Sequence, residues 1–205
     1  MTDRQVRDEA MTLFLAGHET TANALSWTWY VLSRNEDAER EMHEELDRVL
    51  GGRTPTPADY PKLPFTEMVL AESMRLFPPA WGMGRLAIED VQIGEWTVPK
   101  GAVVIVAPAI TQQDARWWPE PQRFDPRRFT PEAKAARPRL TYFPFGAGTR
   151  ICIGESFAWM EGVLILATLA QRWRVRVLEE PRPQASITLR PRGGMKARLE
   201  RRVSS

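Results

Sequence analysis

Apolar and small residues recur at spacings of three and four along the first thirty positions: Val6, Ala10, Leu13, Phe14, Gly17, Thr21, Ala24, Leu25, Thr28 and Val31. This pattern predicts one long helix over 5–33. No decisive cap opens it. Thr2 or Asp3 can serve, and the pattern reads equally well as the continuation of a longer helix. An Asn35 cap starts a second helix, Glu36–Leu50, with an acidic outer face and a stop at Gly51-Gly52. Phe65, Met68, Val69 and Leu76 share one side of a third helix over 65–77, closed by Pro78-Pro79.

Farther along, the apolar runs 91–98 and 102–107, joined by Pro99-Lys100-Gly101, predict a β-hairpin. Residues 116–149 form a long loop rich in Pro, Arg and Phe, a length that goes with function or specific contacts. A strongly apolar helix over 154–173 follows, then short strands near 174–178, 186–190 and 195–199. All 17 prolines fall within 55–144 and 181–191, which leaves the other spans free to be helical. No stretch approaches the roughly 20 apolar residues that span a bilayer.

With 205 residues, 43% hydrophobic and 26% charged, the chain can bury a core and is not disordered. One Cys and two His exclude an internal disulfide, a Cys-rich zinc module and a four-Cys iron-sulfur cluster, and they fit a reducing compartment. The net charge of +2 gives no ground for a nucleic-acid partner, but it is unevenly spread. Residues 1–122 carry 11 basic and 19 acidic side chains, and 123–205 carry 17 and 7. The basic portion suits an acidic partner, or is simply a solvated arginine-rich surface.

The single Cys152 stands in Phe145-Gly146-Ala147-Gly148-Thr149-Arg150-Ile151-Cys152-Ile153-Gly154, directly before the apolar helix. A lone Cys is more often a small core residue. Here the glycines allow a tight loop, while the helix start and Arg150 favour a thiolate, which makes the sulfur a nucleophile or a metal ligand. A nucleophile needs a base, and nothing ties His18 or His43 to it. Zinc needs a second His where His18-Glu19-Thr20-Thr21-Ala22 has Ala22. A single axial thiolate on a cofactor that brings its own other ligands remains, the haem-thiolate arrangement.

The run 145–154 resembles the Phe-x-x-Gly-x-Arg-x-Cys-x-Gly signature of the cytochrome P450 family, and three further signatures follow the family's order. Ala16-Gly17-His18-Glu19-Thr20 resembles the oxygen-activating segment, Glu72-Ser73-Met74-Arg75 the Glu-x-x-Arg pair, and Pro126-Arg127-Arg128-Phe129 the segment whose Arg joins that pair. Glu-x-x-Arg alone is weak, since Glu45/Arg48, Glu120/Arg123 and Glu179/Arg182 share it. Only Glu72/Arg75 lies on a largely apolar helix, where it must be buried against a third partner, and the resemblance implies that this partner is Arg128, as a structural lock. The chain departs from the family at Gln112-Gln113-Asp114, where many relatives have His-Arg-Asp. Any contact made by that His is therefore in doubt.

The resemblance implies a mainly α fold with small β-sheets, the carboxy-terminal portion of the cytochrome P450 fold from the central oxygen-activating helix onward, as one unit over 1–205. It implies haem b, with Cys152 as iron ligand, Arg150 and Arg85 on the propionates, and Phe145 packed beside the sulfur. The implied reaction is monooxygenation: dioxygen is activated reductively and one atom enters a hydrophobic organic substrate, with Glu19 as proton relay and Thr20 as its hydrogen-bonding neighbour. Electrons would come from an external ferredoxin or flavoprotein reductase. Substrate would be met near Ala16, at 79–83 and at the tip Ser186-Ile187. A cytoplasmic location is expected, any membrane anchor preceding Met1. The alternatives are a truncated, catalytically incompetent piece that cannot bind haem alone, and a helical interaction protein with an incidental Cys.

Overall fold

The computed structural model describes residues 1–202. Helix α1 runs Asp3–Ser33, opened by a capping box in which Thr2 accepts from the Gln5 amide and the Gln5 side chain accepts from the Thr2 amide. Its first five turns are exposed, and burial begins at Asn23. From there Asn23, Trp27 and Val31, with Ala24, Thr28 and Leu32 beside them, form the buried stripe.

Helix α2, Glu36–Leu50, ends in a left-handed Gly51 at φ 56°. The Asn35 side chain does not cap it, donating instead to the Val31 carbonyl at 2.7 Å. Its acidic face is only partly outer, since Glu39 and Glu45 are buried. Glu45 accepts from the Phe65 and Thr66 amides at 2.8 and 2.9 Å, so a carboxylate on α2 satisfies the free N–H groups that open α3, Pro64–Leu76. The core forms where these helices meet the later apolar helix Glu155–Ala170, from Leu32, Met42, Leu46, Val69, Leu70 and Leu166 with their neighbours.

The strands pair differently from the expected hairpin. β1 (Met83–Leu86) pairs antiparallel with β4 (Val103–Val106), Met83 opposite Val106. Between them β2 (Val91–Ile93) and β3 (Trp96–Val98) make a hairpin of their own around Gly94 at φ 58°. The turn therefore falls at Gly94-Glu95, and Pro99-Lys100-Gly101 leads from one pair to the other.

A short α4, Pro108–Thr111, leads into the long segment. That segment is not bare loop: it holds a 3-10 turn at Pro126–Phe129, helix α5 at Pro131–Ala136 and a second 3-10 turn at Gly148–Arg150. Helix α6, Glu155–Ala170, then crosses α3 closely. A Cβ on Gly162 would stand 2.7 Å from the Leu70 side chain. At the end, β5 (Trp173–Val177) pairs with β8 (Ala197–Arg201), while β6 (Pro183–Ala185) and β7 (Leu189–Pro191) make a hairpin with Ser186, Ile187 and Thr188 at its tip. No helix among the described residues is long and apolar enough to cross a membrane.

Candidate functional site

Cys152 is presented by a tight loop rather than by a helix or strand. Its amide donates to the Phe145 carbonyl at 2.9 Å, closing residues 145–152 into a ring. Gly146 and Gly148 take φ of 78° and 73°, a region that costs other residues energy. A Cβ on Gly146 would also stand 3.2 Å from the Met83 sulfur, so both the backbone and its neighbour demand glycine there. The thiol is exposed, and Gly154, whose added Cβ would sit 3.9 Å from the sulfur, links it to the first turn of α6.

The sulfur opens into a cavity of about 520 Å³. One wall is α1, through Ala16, Gly17, Thr20 and Ala24, and the facing wall carries Phe145 and Cys152. Arg150 and Glu161 are the only charged residues lining it among those described. Thr20 donates its hydroxyl hydrogen to the Ala16 carbonyl at 2.6 Å, which leaves its lone pairs free toward the cavity. Phe145 packs on Trp159, ring centroids 5.6 Å apart.

Not every expected site residue is brought to this cavity. Glu19 is absent from its lining, and its carboxylate accepts from the Thr188 hydroxyl at 2.6 Å. Arg85 lies on β1 opposite Val104, exposed, with a guanidinium N–H given to the Gly84 carbonyl at 2.9 Å. Arg150 makes no ion pair among the described residues, so its guanidinium is available to an anionic group.

Behind the loop, Glu72 and Arg75 are fully buried and joined by two hydrogen bonds of 2.7 and 2.8 Å. Arg128 approaches Glu72 Oε1 at 3.4 Å as an ion-pair partner, without the alignment of a hydrogen bond. The bonds that complete the lock come from the Asp125 amide to Glu72 at 3.0 Å and from Arg75 to the carbonyls of Gln112 and Arg123. Burial still pushes the Glu72 carboxyl above its usual range, against the pull of Arg75, the Asp125 amide and Arg128. Trp118 lies between two guanidinium groups, Arg75 at 5.0 Å and Arg137 at 4.2 Å from its ring.

Gln112 is a site residue whose role sequence reasoning missed. Fully buried, it donates to the carbonyls of Met74 and Arg75 and accepts from the Phe143 amide at 3.0 Å. With the Tyr142 hydroxyl on the Ala71 carbonyl and Trp118 on the Thr141 carbonyl, it fixes the chain that runs into Phe145. The only sequence signal was its place in the departing Gln-Gln-Asp.

A family model described as cytochrome P450 matches residues 1–197. The chain belongs to the cytochrome P450 family. It is 45% identical over 195 residues to cyclooctatin synthase of Streptomyces melanosporofaciens, covering 93% of this chain and 42% of that protein. Pentalenene oxygenase of Streptomyces avermitilis is 36% identical over 203 residues, covering 98% of this chain and 45% of that one. A cytochrome P450 crystal structure superposes with a TM-score of 0.89 at 29% identity, over 98% of this chain and 46% of that one. The chain thus spans less than half the length of the cytochrome P450 proteins it matches, and its mainly α architecture with small sheets is a partial cytochrome P450 fold.

The cytochrome P450 family implies a haem-thiolate cofactor, and the residues present fit one. Among the described residues no group of three or more His, Cys, Asp or Glu could hold a bare metal ion. A single exposed thiol, an apolar cavity above it and an unpaired guanidinium on the rim suit a metal that arrives in its own apolar, anionic-edged macrocycle.

Proposed function

We propose that this chain is the haem-ligating, carboxy-terminal part of a cytochrome P450 monooxygenase that inserts one oxygen atom into a hydrophobic organic substrate. The observation that carries the reading is the exposed Cys152 sulfur at the floor of an apolar cavity whose opposite wall is the α1 segment with Thr20. When bound, haem b ligated by Cys152 supplies the reductive activation of dioxygen, helped by electron density pushed from the thiolate.

The protein's own residues do the rest. Arg150 takes a propionate, Phe145 excludes water beside the sulfur, and the lock at Glu72, Arg75 and Arg128 keeps the loop's approach rigid. The Thr20 hydroxyl, its hydrogen given to Ala16, accepts from water in the cavity, while a proton-relay role for Glu19, which lies outside the cavity lining, rests on the resemblance alone. A propionate role for Arg85 rests on the resemblance alone. Electrons come from an external ferredoxin or flavoprotein reductase, for which residues 123–205, with 17 basic and 7 acidic side chains, offer a docking charge. The apolar lining and the name of the relative pentalenene oxygenase support an apolar substrate. The cysteine usage supports a cytoplasmic site of action.

A second reading is favoured by one observation: Leu13, Phe14, Ile153 and Phe157 are all more than half exposed, Ile153 at 96%. That much uncovered apolar surface fits a piece whose covering segments belong to the remaining length of its relatives. One experiment separates the two. The 205-residue chain is reconstituted with haem, reduced, and the spectrum of its carbon monoxide adduct recorded. A strongly red-shifted Soret band abolished by Cys152→Ala supports the first reading. Uptake indifferent to Cys152 overturns the ligand assignment, and no uptake leaves the second reading.

A further inference from the structure

Glu19 and Thr188 stand 169 positions apart, yet their side chains meet at 2.6 Å. Thr188 is buried, and its hydroxyl uses both of its capacities: it donates to Glu19 and accepts from the Asn23 side-chain amide at 3.0 Å. The direction of the chain is fixed, because Asn23 can only donate through its NH₂ and an ionised Glu19 can only accept. Glu19, Asn23 and Trp27 follow at four-residue intervals on α1, so one face of the helix grips the β6–β7 tip three times. The third contact is the Trp27 indole on the Leu189 carbonyl at 3.0 Å.

The same tip is held from its other side. The Leu189 amide donates to the Pro79 carbonyl at 2.9 Å, and the Trp81 indole donates to the Ser186 carbonyl at 2.8 Å. Between these anchors Ile187 is 91% exposed. Thr20, one residue on from Glu19, faces the cavity, whereas Glu19 itself faces the tip.

We propose that Thr188, backed by Asn23, is a positioning residue that holds the Glu19 carboxylate off the cavity and joins the apolar tip at Ile187 to the α1 segment carrying Thr20. The inference rests on the monooxygenase reading for its meaning and on the three side chains for its geometry. Its consequence runs in both directions. A molecule that displaces the tip withdraws the Thr188 hydroxyl and frees Glu19 to turn toward the cavity, and a change at Glu19 loosens the tip. The position of the tip and the placement of the Glu19 carboxylate are thereby coupled through one hydroxyl.

Hydrogen exchange of the amides at 186–189 tests this on the full chain with no cofactor or substrate added, so failure of haem binding leaves the test intact. Thr188→Val, which keeps the shape and removes the hydroxyl, is expected to speed exchange at the tip about tenfold or more, and Thr188→Ser to restore wild-type protection. Glu19→Leu, which removes the acceptor, is expected to speed exchange as well, and to add nothing in the Thr188→Val background. Wild-type protection in Thr188→Val, or strictly additive effects of the two substitutions, would overturn the proposal. A Thr188→Ser variant as loose as Thr188→Val would do the same, because packing rather than the hydroxyl would then be responsible.

Discussion

Glu72 and Arg75 lie one turn apart on α3 and face each other through two hydrogen bonds, each side chain 0% exposed to solvent. Such a pair is stable only while both members are present, since either one alone is a buried charge without compensation. Arg75→Leu is expected to cost about 3–5 kcal/mol. Arg75→Lys should fail nearly as badly, because an ammonium cannot serve Glu72, Gln112 and Arg123 from one plane. Urea unfolding midpoints measure both. Joint replacement by apolar residues should recover only part of the loss, because the Asp125 amide and the Gln112 carbonyl remain unpaired.

Gln112→Leu keeps the volume and removes the side-chain bonds by which Gln112 ties α3 to the run before the Cys-loop, leaving the Tyr142 hydroxyl on the Ala71 carbonyl as a remaining tie. It strands the Phe143 amide and leaves the Met74 carbonyl without the side-chain donor it has now, an expected loss of about 1–3 kcal/mol. Faster proteolysis within 138–145 than elsewhere should accompany it. Gln112→His, whose ring nitrogen can accept from the Phe143 amide, should retain more stability than Leu.

His43 is 3% exposed and neither ring nitrogen has a hydrogen-bond partner among the described residues. Burial holds its pKa down to about 3, with Arg202, Arg174 and Arg176 pushing the same way and Asp47 opposing. Glu39, one turn earlier on α2, is occupied by Arg176 at 3.0 Å. Because the folded value lies below the unfolded one of about 6.5, the unfolded chain gains a proton first as pH falls. Stability should therefore be full above about 6.5 and decline toward 3, by up to about 1.4 kcal/mol per pH unit. Comparing the urea midpoint at pH 7 and pH 4.5 in wild type and His43→Leu isolates this group. The wild type should lose more than the variant.

Gly162 sets the approach of α6 to α3. Gly162→Ala must displace the Leu70 side chain, a flexible end that can move, so a cost of about 1–3 kcal/mol is expected. Pairing it with Leu70→Val should recover a measurable part. Both residues line the cavity, so haem or ligand affinity should change alongside stability.

The helices were legible because their signals are local. Gly51 marks the end of α2 and Pro78-Pro79 the end of α3, and the spacing along α1 picks out Ala24, Thr28 and Val31 of its buried face while missing Asn23, Trp27 and Leu32. What was not legible depends on partners far along the chain. The runs 91–98 and 102–107 alternate equally well, and only the tertiary fold shows that Val103 belongs opposite Leu86. Glu45 reads as another surface carboxylate, because the amides it satisfies lie 20 and 21 residues away. The same holds at the candidate site. Cys152 stands out by its glycine-rich loop, while the engagement of Glu19 by Thr188 has no sequence pattern at all.

The grip of α1 on the β6–β7 tip also sets a timetable. Trp27 and Leu189 are 162 positions apart, so the helix that forms one wall of the cavity is synthesised long before the strand it holds. At roughly 5–20 residues per second, that interval is on the order of 10–30 s. During translation α1 stands without this partner until the β6–β7 strands emerge from the ribosome. A nonsense codon between the end of α6 at Ala170 and position 189 would keep the core-forming helices but remove the tip, leaving an open flank, the kind of product that chaperones and proteases remove.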